Sequence, residues 1–167
     1  MTPYLTFAGY SGSGKTTLVI KVIHYLKSKG YKIAALKHDG HSFEMDKEGK
    51  DTYRMKQAGA NCVAIASNSK LAVISDTPKR FTFIELMKQI PVDVDIIIGE
   101  GFKDEDIPKI LVHRKANNKP NLYGEEKNII AVATDELHEF ANINNVFHID
   151  DYEKIAEFII NYIDNFN

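Results

Sequence analysis

Cysteine is almost absent from this sequence. Cys62 is the only one among 167 residues, which excludes an internal disulfide and any zinc site built from several cysteines. Within the run ANCVAIAS we expect Cys62 to be a small buried apolar residue. No apolar run approaches the roughly 18 residues of a membrane-spanning helix, and no apolar leader follows a basic start. These absences lead us to expect a cytoplasmic protein with no membrane partner.

Arginine is scarce as well. Arg54, Arg80 and Arg114 are the only arginines among 21 basic residues, so multidentate arginine clamps on phosphate must be few. The formal net charge of -2 and the pI near 6.3 give no general attraction to nucleic acid. We therefore expect no nucleic-acid partner, and any phosphate binding should depend on lysine and backbone groups.

The residues that are present have the balance of an ordinary globular protein, with 44% hydrophobic and 26% charged. The length favours a single domain over residues 1–167. Short apolar runs alternate with helical periodicity, and the clearest helix is predicted over 16–29. Its predicted apolar face consists of Leu18, Val19, Val22, Ile23 and Leu26. The runs CVAIAS and LAVIS predict a hairpin. Together they indicate an α/β fold of three layers, with a mostly parallel sheet and one antiparallel hairpin.

One stretch carries a specific chemical signal. Residues 9–16, GYSGSGKT, match the Walker A pattern of a P-loop NTPase fold, between a predicted strand and a predicted helix. Glycines let successive N–H groups converge on a phosphate chain, and the positive end of the helix adds to the attraction. We expect Lys15 to reach the β- and γ-phosphates as a catalytic group, and the Thr16 hydroxyl to bind Mg²⁺. The predicted nucleotide-binding residues of this loop are Gly9, Ser11, Gly12, Ser13, Gly14, Lys15, Thr16 and Thr17.

A P-loop also needs a carboxylate at the end of a neighbouring strand to hold Mg²⁺. Asp95 and Glu100 flank the most apolar run of the chain, DIIIGEG. Glu100 emerges at the carboxyl edge if the strand spans 94–98, which is where ligands bind open α/β sheets. Asp95 holds the usual acidic position only if the strand is short. Both stay candidates for the metal, and either could instead be a solvent-facing strand or turn residue.

Polar residues are concentrated after the second predicted strand, in LKHDGHSFEMDKEGKD at 36–51. This segment should lie at the same sheet edge as the glycine loop. We favour a mobile loop that senses the γ-phosphate or a second substrate, with a plain exposed loop or a zinc site as alternatives. The pair of histidines suits a metal, but an obvious third soft ligand is missing. The candidate residues here are Lys37, His38, His41, Asp46, Lys50 and Asp51.

The turn AVATDE places Thr134 and Asp135 just past another predicted strand. Nucleotide-binding folds often recognise the base at such a position, and an aspartate can accept the N1 and N2 hydrogens of guanine. Asp135 could equally be the N-cap of the next helix.

Three blocks, GYSGSGKTTL, KHDGHSFEMDKEGKDTYRMKQAGA and DIIIGEGFK, resemble in order and spacing the MobB proteins of molybdopterin-guanine dinucleotide biosynthesis. The middle block is the specific one, because Walker A occurs in many unrelated functions. The resemblance implies a GTP- and Mg²⁺-binding cytoplasmic homodimer with weak GTPase activity. Such a protein assists the MobA-type guanylyltransferase that joins GMP to molybdopterin, and molybdopterin itself is a further expected contact. The resemblance also places Gly49 in the family's signature loop, and Glu100, Gly101 and Phe102 in its acidic turn.

The sequence departs from the family at two positions of that loop. Gly40 stands where many members have another histidine, and Thr52 replaces a common serine. No Asn-Lys-x-Asp guanine motif is present, so the preference for GTP rests on the resemblance. Slow hydrolysis is expected because no arginine or glutamine is evident for the transition state, although Lys37 should compensate in part. A small-molecule kinase that uses ATP and a nickel-delivery GTPase are the alternatives.

Overall fold

In residues 1–40 and 43–166, which the computed structural model describes, six strands form one sheet in which every neighbouring pair is parallel. The strands of this sheet are β1 (Tyr4–Ala8), β2 (Ile33–Lys37), β5 (Ile96–Glu100), β6 (Lys109–His113), β7 (Ile129–Thr134) and β8 (Val146–His148). Their order across the sheet is β2-β5-β1-β6-β7-β8. The helices are α1 (Lys15–Ser28), α2 (Asp51–Gln57), α3 (Phe83–Met87) and α4 (Tyr152–Asp164), and β3 (Cys62–Ala66) and β4 (Leu71–Ser75) form a separate two-stranded sheet.

Alternation along the strands builds the three layers. In β5, Ile96 and Ile98 pack with residues of α1 and α4, whereas Ile97 packs with Phe83 of α3. Successive side chains of a strand point to opposite faces, so an apolar run covers both. The three-layer, mostly parallel α/β prediction is confirmed.

Helix α1 begins and ends one residue before its predicted bounds. Four of the five residues on its predicted apolar face are buried, namely Leu18, Val19, Val22 and Leu26, and Ile23 is partly buried. Gly30 follows with φ +95°, the left-handed conformation that ends helices. The periodicity therefore located both the element and its buried face.

The chain divides into two compact units, Met1–His38 with Thr82–Asn167, and Asp39–Phe81. The first holds the parallel sheet and the second holds α2 and the predicted hairpin, whose strands pair antiparallel. The expectation of a single domain stays a prediction. No helix in the described part of the chain has the length and apolarity that crossing a membrane requires.

The expectation that Cys62 is buried is wrong, because Cys62 is exposed. In β3 only Val63 is buried. An apolar run alone cannot distinguish a strand inside a sheet from a strand of an isolated hairpin.

Candidate functional site

The loop between β1 and α1 has the backbone that its glycines predict. Gly9, Gly12 and Gly14 have φ of +146°, +80° and +87°, which side-chain-bearing residues rarely adopt. Gly14 is also the N-cap of α1 and makes no side-chain cap. The first N–H groups of a helix have no partner within the helix, so this end is built to meet an anion.

Contacts from the neighbouring strand β6 and the turn after it limit the size of side chains in the loop. A Cβ on Gly9 would lie 2.3 Å from the Val112 carbonyl oxygen, and one on Gly12 would lie 3.1 Å from Asn117 Oδ1. Asn117 Nδ2 also donates to the Ser11 carbonyl over 3.2 Å. The turn after β6 therefore braces the glycine loop.

Lys15 turns back over this loop. Its Nζ donates to the carbonyl oxygens of Gly9 at 3.0 Å and Tyr10 at 2.7 Å. Burial lowers the pKa of Lys15, the nearby Glu100 carboxylate opposes that shift, and Lys37 adds to it. The ammonium group therefore lies against the backbone of the glycine loop.

Glu100 is the last residue of β5 and meets both Thr16 and Lys37. Thr16 Oγ1 donates to Glu100 Oε1 over 2.9 Å, and Lys37 Nζ lies 3.6 Å from the same oxygen. The register of the sheet explains the second contact, because Lys37 and Glu100 are direct partners between β2 and β5. The three catalytic candidates, Lys15, Lys37 and Glu100, thus surround one position at the carboxyl edge of the sheet.

Of the two acidic candidates that the sequence left open, the structure places Glu100 beside Thr16 and places Asp95 elsewhere. Asp95 precedes β5, and its Oδ2 accepts a hydrogen bond from the Lys32 backbone N–H at 2.7 Å. The strand β5 extends to Glu100, two residues beyond the bound assumed from the sequence, and it separates the two carboxylates by roughly 15 Å at the usual rise per residue. Asp95 joins the start of β5 to the chain before β2, at the opposite edge of the sheet.

The turn after β5 is tightly built. Gly101 has φ +94°, and a Cβ there would lie 2.9 Å from the His38 carbonyl oxygen. Phe102 also has a positive φ of 55°, is buried, and contacts the His38 ring at a centroid distance of 5.3 Å. His38 is thereby placed beside the acidic turn, and its role in nucleotide binding stays a prediction.

The remaining candidates of the polar segment belong to the second unit. Asp46 Oδ1 accepts from the Lys47 N–H, Lys50 is the N-cap of α2, and Asp51 is the first residue of that helix. Their role at the site stays a prediction. His41 lies outside the described residues.

Thr134 and Asp135 follow β7 at the same sheet edge. Thr134 is buried and its hydroxyl accepts the Glu136 N–H, whereas Asp135 is exposed. Asp135 Oδ1 accepts the Lys115 N–H at 2.8 Å, and the following 3-10 helix has no side-chain cap. Of the two readings of Asp135, the helix N-cap is therefore wrong, and base recognition stays a prediction.

Two residues of this edge were not found from the sequence, Arg114 and Glu136. Arg114 lies beside Gly14, and the buried Glu136 contacts His113 at 3.2 Å and Lys115 at 3.1 Å. Burial raises the pKa of Glu136, but Lys115 and His113 outweigh it and the pKa is lowered overall. Arg114 is the last residue of one predicted strand, KILVHR, and Glu136 lies two residues after another, IIAVAT. That position at a strand end was the one available signal.

Comparison with known proteins gives a consistent result. The family model described as "MobB: Molybdopterin guanine dinucleotide synthesis protein B" matches residues 4–135. The molybdopterin-guanine dinucleotide biosynthesis adapter protein of Haemophilus influenzae is 39% identical over 99% of this chain and 92% of its own length. The Escherichia coli protein of the same name is 34% identical over 100% of this chain and 97% of its own. The solved structure of Bacillus subtilis MobB is 27% identical, with a TM-score of 0.73 over 96% of this chain and 97% of that one.

Proposed function

This chain belongs to the MobB family, and from that membership and the site geometry we propose that it binds GTP with Mg²⁺ and serves as an adapter in molybdopterin-guanine dinucleotide biosynthesis. The P-loop fold of the family suggests nucleotide binding in general. The proposal adds the guanine base, the metal ion and the step assisted, which is attachment of GMP to molybdopterin.

The observation that supports nucleotide binding is the convergence of Lys15, Thr16 and Glu100 beside the glycine loop. The donor set fits a magnesium nucleotide, because a hydroxyl and a carboxylate are hard oxygen ligands and Lys15 offers an ammonium group to phosphate. Ser13 Oγ is buried and, within the described residues, has no hydrogen-bond partner. Thr16 and Glu100 would hold Mg²⁺, which neutralises phosphate charge when it is bound.

Hydrolysis at this site is proposed to be weak. Lys37, whose Nζ lies 3.6 Å from Glu100 Oε1, is a point charge rather than a planar fork. Nucleotide occupancy would then act mainly as a signal, passed on through the polar segment with Asp46, Lys50 and Asp51. That segment would meet the MobA-type guanylyltransferase or its molybdopterin product.

A homodimer is part of the same proposal. The hairpin of the second unit exposes Ile65 by 58%, Leu71 by 63% and Val73 by 58%. An isolated two-stranded sheet is marginally stable in water and carries unpaired edges. The register of the hairpin places Leu71 and Val73 on one face and Ile65 on the other. The face with Leu71 and Val73 fits a surface that a second copy of the chain covers.

Titration calorimetry tests the nucleotide assignment. The wild-type protein would be titrated with GTP and ATP, each with Mg²⁺, and the titrations repeated on Lys15→Ala and on Lys27→Ala as a control at the far end of α1. We expect preferential binding of GTP, lost in Lys15→Ala and retained in Lys27→Ala. Preference for ATP would contradict the guanine assignment and favour a kinase, and normal affinity in Lys15→Ala would refute the site.

A further inference from the structure

Arg114 lies directly against the glycine loop, and we infer that its guanidinium binds the phosphates that GDP and GTP share. The inference rests on the proposed function, because it assigns a residue to that nucleotide site. It adds a cation on the β6 side of the loop. The three arginines are scattered along the sequence, and their positions there did not predict that one of them lies beside the loop.

The position of Arg114 follows from the sheet order. Strand β6 neighbours β1 on the side opposite β5, and Arg114 is the first residue after β6. Its side chain therefore approaches the loop from the side opposite Glu100. The Asn117 N–H donates to the Arg114 carbonyl over 3.0 Å, which closes a turn. Asn117, which lies beside Gly12, and Arg114, which lies beside Gly14, therefore belong to the same turn.

The guanidinium lies alongside Gly14. A Cβ on Gly14 would be 3.6 Å from Nη2, 3.7 Å from Nε and 3.9 Å from Cζ. Both nitrogens are nearer than Cζ, so the guanidinium approaches the glycine with the side that carries Nε and Nη2. Any side chain at this position would occupy the space between the loop and the arginine.

The hydrogen-bonding capacity of Arg114 is not used up by the protein. Its Nε is buried and finds no acceptor among the described residues. None of the ion pairs within residues 1–40 and 43–166 includes Arg114. A buried donor without an acceptor is costly, and the buried Ser13 Oγ in the same loop is also without a partner. A ligand rich in acceptor oxygens satisfies both groups.

The chemistry indicates which part of the ligand is bound. A guanidinium recognises phosphate with paired, charge-assisted hydrogen bonds. The backbone of a Walker A loop surrounds the α- and β-phosphates, and its lysine reaches toward the γ-phosphate. Because Arg114 lies beside Gly14, across the loop from Glu100, we assign it to the α- and β-phosphates, which GDP and GTP have in common.

Calorimetry with GDP and with a non-hydrolysable GTP analogue, both with Mg²⁺, tests this assignment on wild type, Arg114→Gln and Arg114→Lys. We expect Arg114→Gln to weaken both nucleotides by a similar factor of about 10 to 100, and Arg114→Lys to recover part of the affinity, since it keeps the charge and loses the fork. Lys27→Gln removes the same charge from the far end of α1 and should bind as wild type does. Added NaCl should weaken binding less in Arg114→Gln than in wild type, which a purely structural role would not produce.

The outcomes separate this inference from the proposed function. If wild type binds both nucleotides and the affinities of Arg114→Gln are within twofold of those of wild type, Arg114 does not bind the phosphates. The proposed nucleotide site would be unaffected by that result. Loss confined to the GTP analogue would overturn the assignment to the shared phosphates. Wild type that binds neither nucleotide would overturn the proposed function, and the role of Arg114 with it.

Discussion

Thr16 Oγ1 lies 2.9 Å from Glu100 Oε1, although 84 residues separate the two along the chain. The parallel sheet creates this contact, because β1 leads into the glycine loop and its neighbour β5 ends at Glu100. The carboxyl ends of parallel neighbours meet at one edge of a sheet, where open α/β folds bind ligands. The hydroxyl and the carboxylate are therefore positioned by the fold before any ligand arrives.

Glu100→Gln should remove most of the Mg²⁺-dependent gain in nucleotide affinity, by roughly tenfold or about 1.4 kcal/mol. The amide keeps the shape of the side chain and loses the charge that attracts the metal ion. Titration of GTP with Mg²⁺ and with EDTA measures the gain directly.

Asp95→Asn is the matched control, because Asp95 lies just before the other end of β5, where its Oδ2 accepts a hydrogen bond from the Lys32 backbone N–H. Its Mg²⁺ response should equal that of wild type. A response lost in Asp95→Asn and kept in Glu100→Gln would reverse our choice between the two acids.

Gly99→Ala should destabilise the protein by about 1–3 kcal/mol, the usual cost of overpacking a core. A Cβ at this position would lie 2.6 Å from Phe83 Cε2 and 2.7 Å from Thr6 Oγ1, and Gly99 is the residue next to Glu100 in β5. Urea unfolding measures the loss. Gly40→Ala is the control, because none of the residues that the structure describes lies within 4 Å of its added Cβ. Equal stability of the two variants would contradict the packing argument.

The contribution of Tyr162 to the stability of the fold should depend on pH in the alkaline range. Burial raises the pKa of Tyr162 from 10.0 to about 12, with a smaller contribution from Tyr4, and its hydroxyl donates to the Tyr4 carbonyl over 3.1 Å. A raised pKa means that the stabilisation is complete below pH 10 and is lost as the pH rises toward 12. Tyr162→Phe should be less stable than wild type by about 1 kcal/mol at pH 8, and the gap should close between pH 10 and 12.

Denaturant unfolding at several pH values from 8 to 12 measures that gap. Tyr123→Phe, whose ring is 45% exposed, should follow wild type throughout. A gap for Tyr162→Phe that stays constant with pH would show that the phenol does not titrate differently in the folded and unfolded states.

Asp135→Asn tests recognition of the base. Asp135 Oδ1 accepts the Lys115 N–H, which leaves Oδ2 for the N1 and N2 hydrogens of guanine. The variant should bind GTP about tenfold or more weakly, because hydrogen bonds to a charged group contribute about 1.5–3 kcal/mol. It should gain affinity for xanthosine triphosphate, which carries a carbonyl in place of the amino group, and unchanged selectivity would exclude Asp135 from the base site.

The local elements of the fold were largely predictable. The glycine loop has the positive φ values that Gly9, Gly12 and Gly14 permit, and α1 follows it with the predicted buried face. These features depend only on residues that are close together in the sequence. The backbone freedom of glycine determines the loop, and the spacing of apolar residues determines the buried face of the helix. The hairpin was predicted for the same reason.

The position of the acidic candidates and the exposure of Cys62 depended on contacts between residues that are distant in the sequence. Asp95 and Glu100 bracket the same apolar run, and only the length of β5 placed one of them beside Thr16. Cys62 lies in a run as apolar as a core strand and is nevertheless exposed. Periodicity records which residues can be buried, whereas burial itself depends on which other element covers them.

The sequence by itself determined that this chain has a glycine loop of the Walker A pattern, an alternating α/β pattern and the motifs of its family, because each of these depends on residues that are close together in the chain. The tertiary structure alone decided which side chains surround the loop. Arg114 is 100 residues from Gly14 along the chain. The two residues nevertheless lie side by side, because β6 is paired with β1. Sheet order follows from the packing of the whole chain, and no local pattern specifies it.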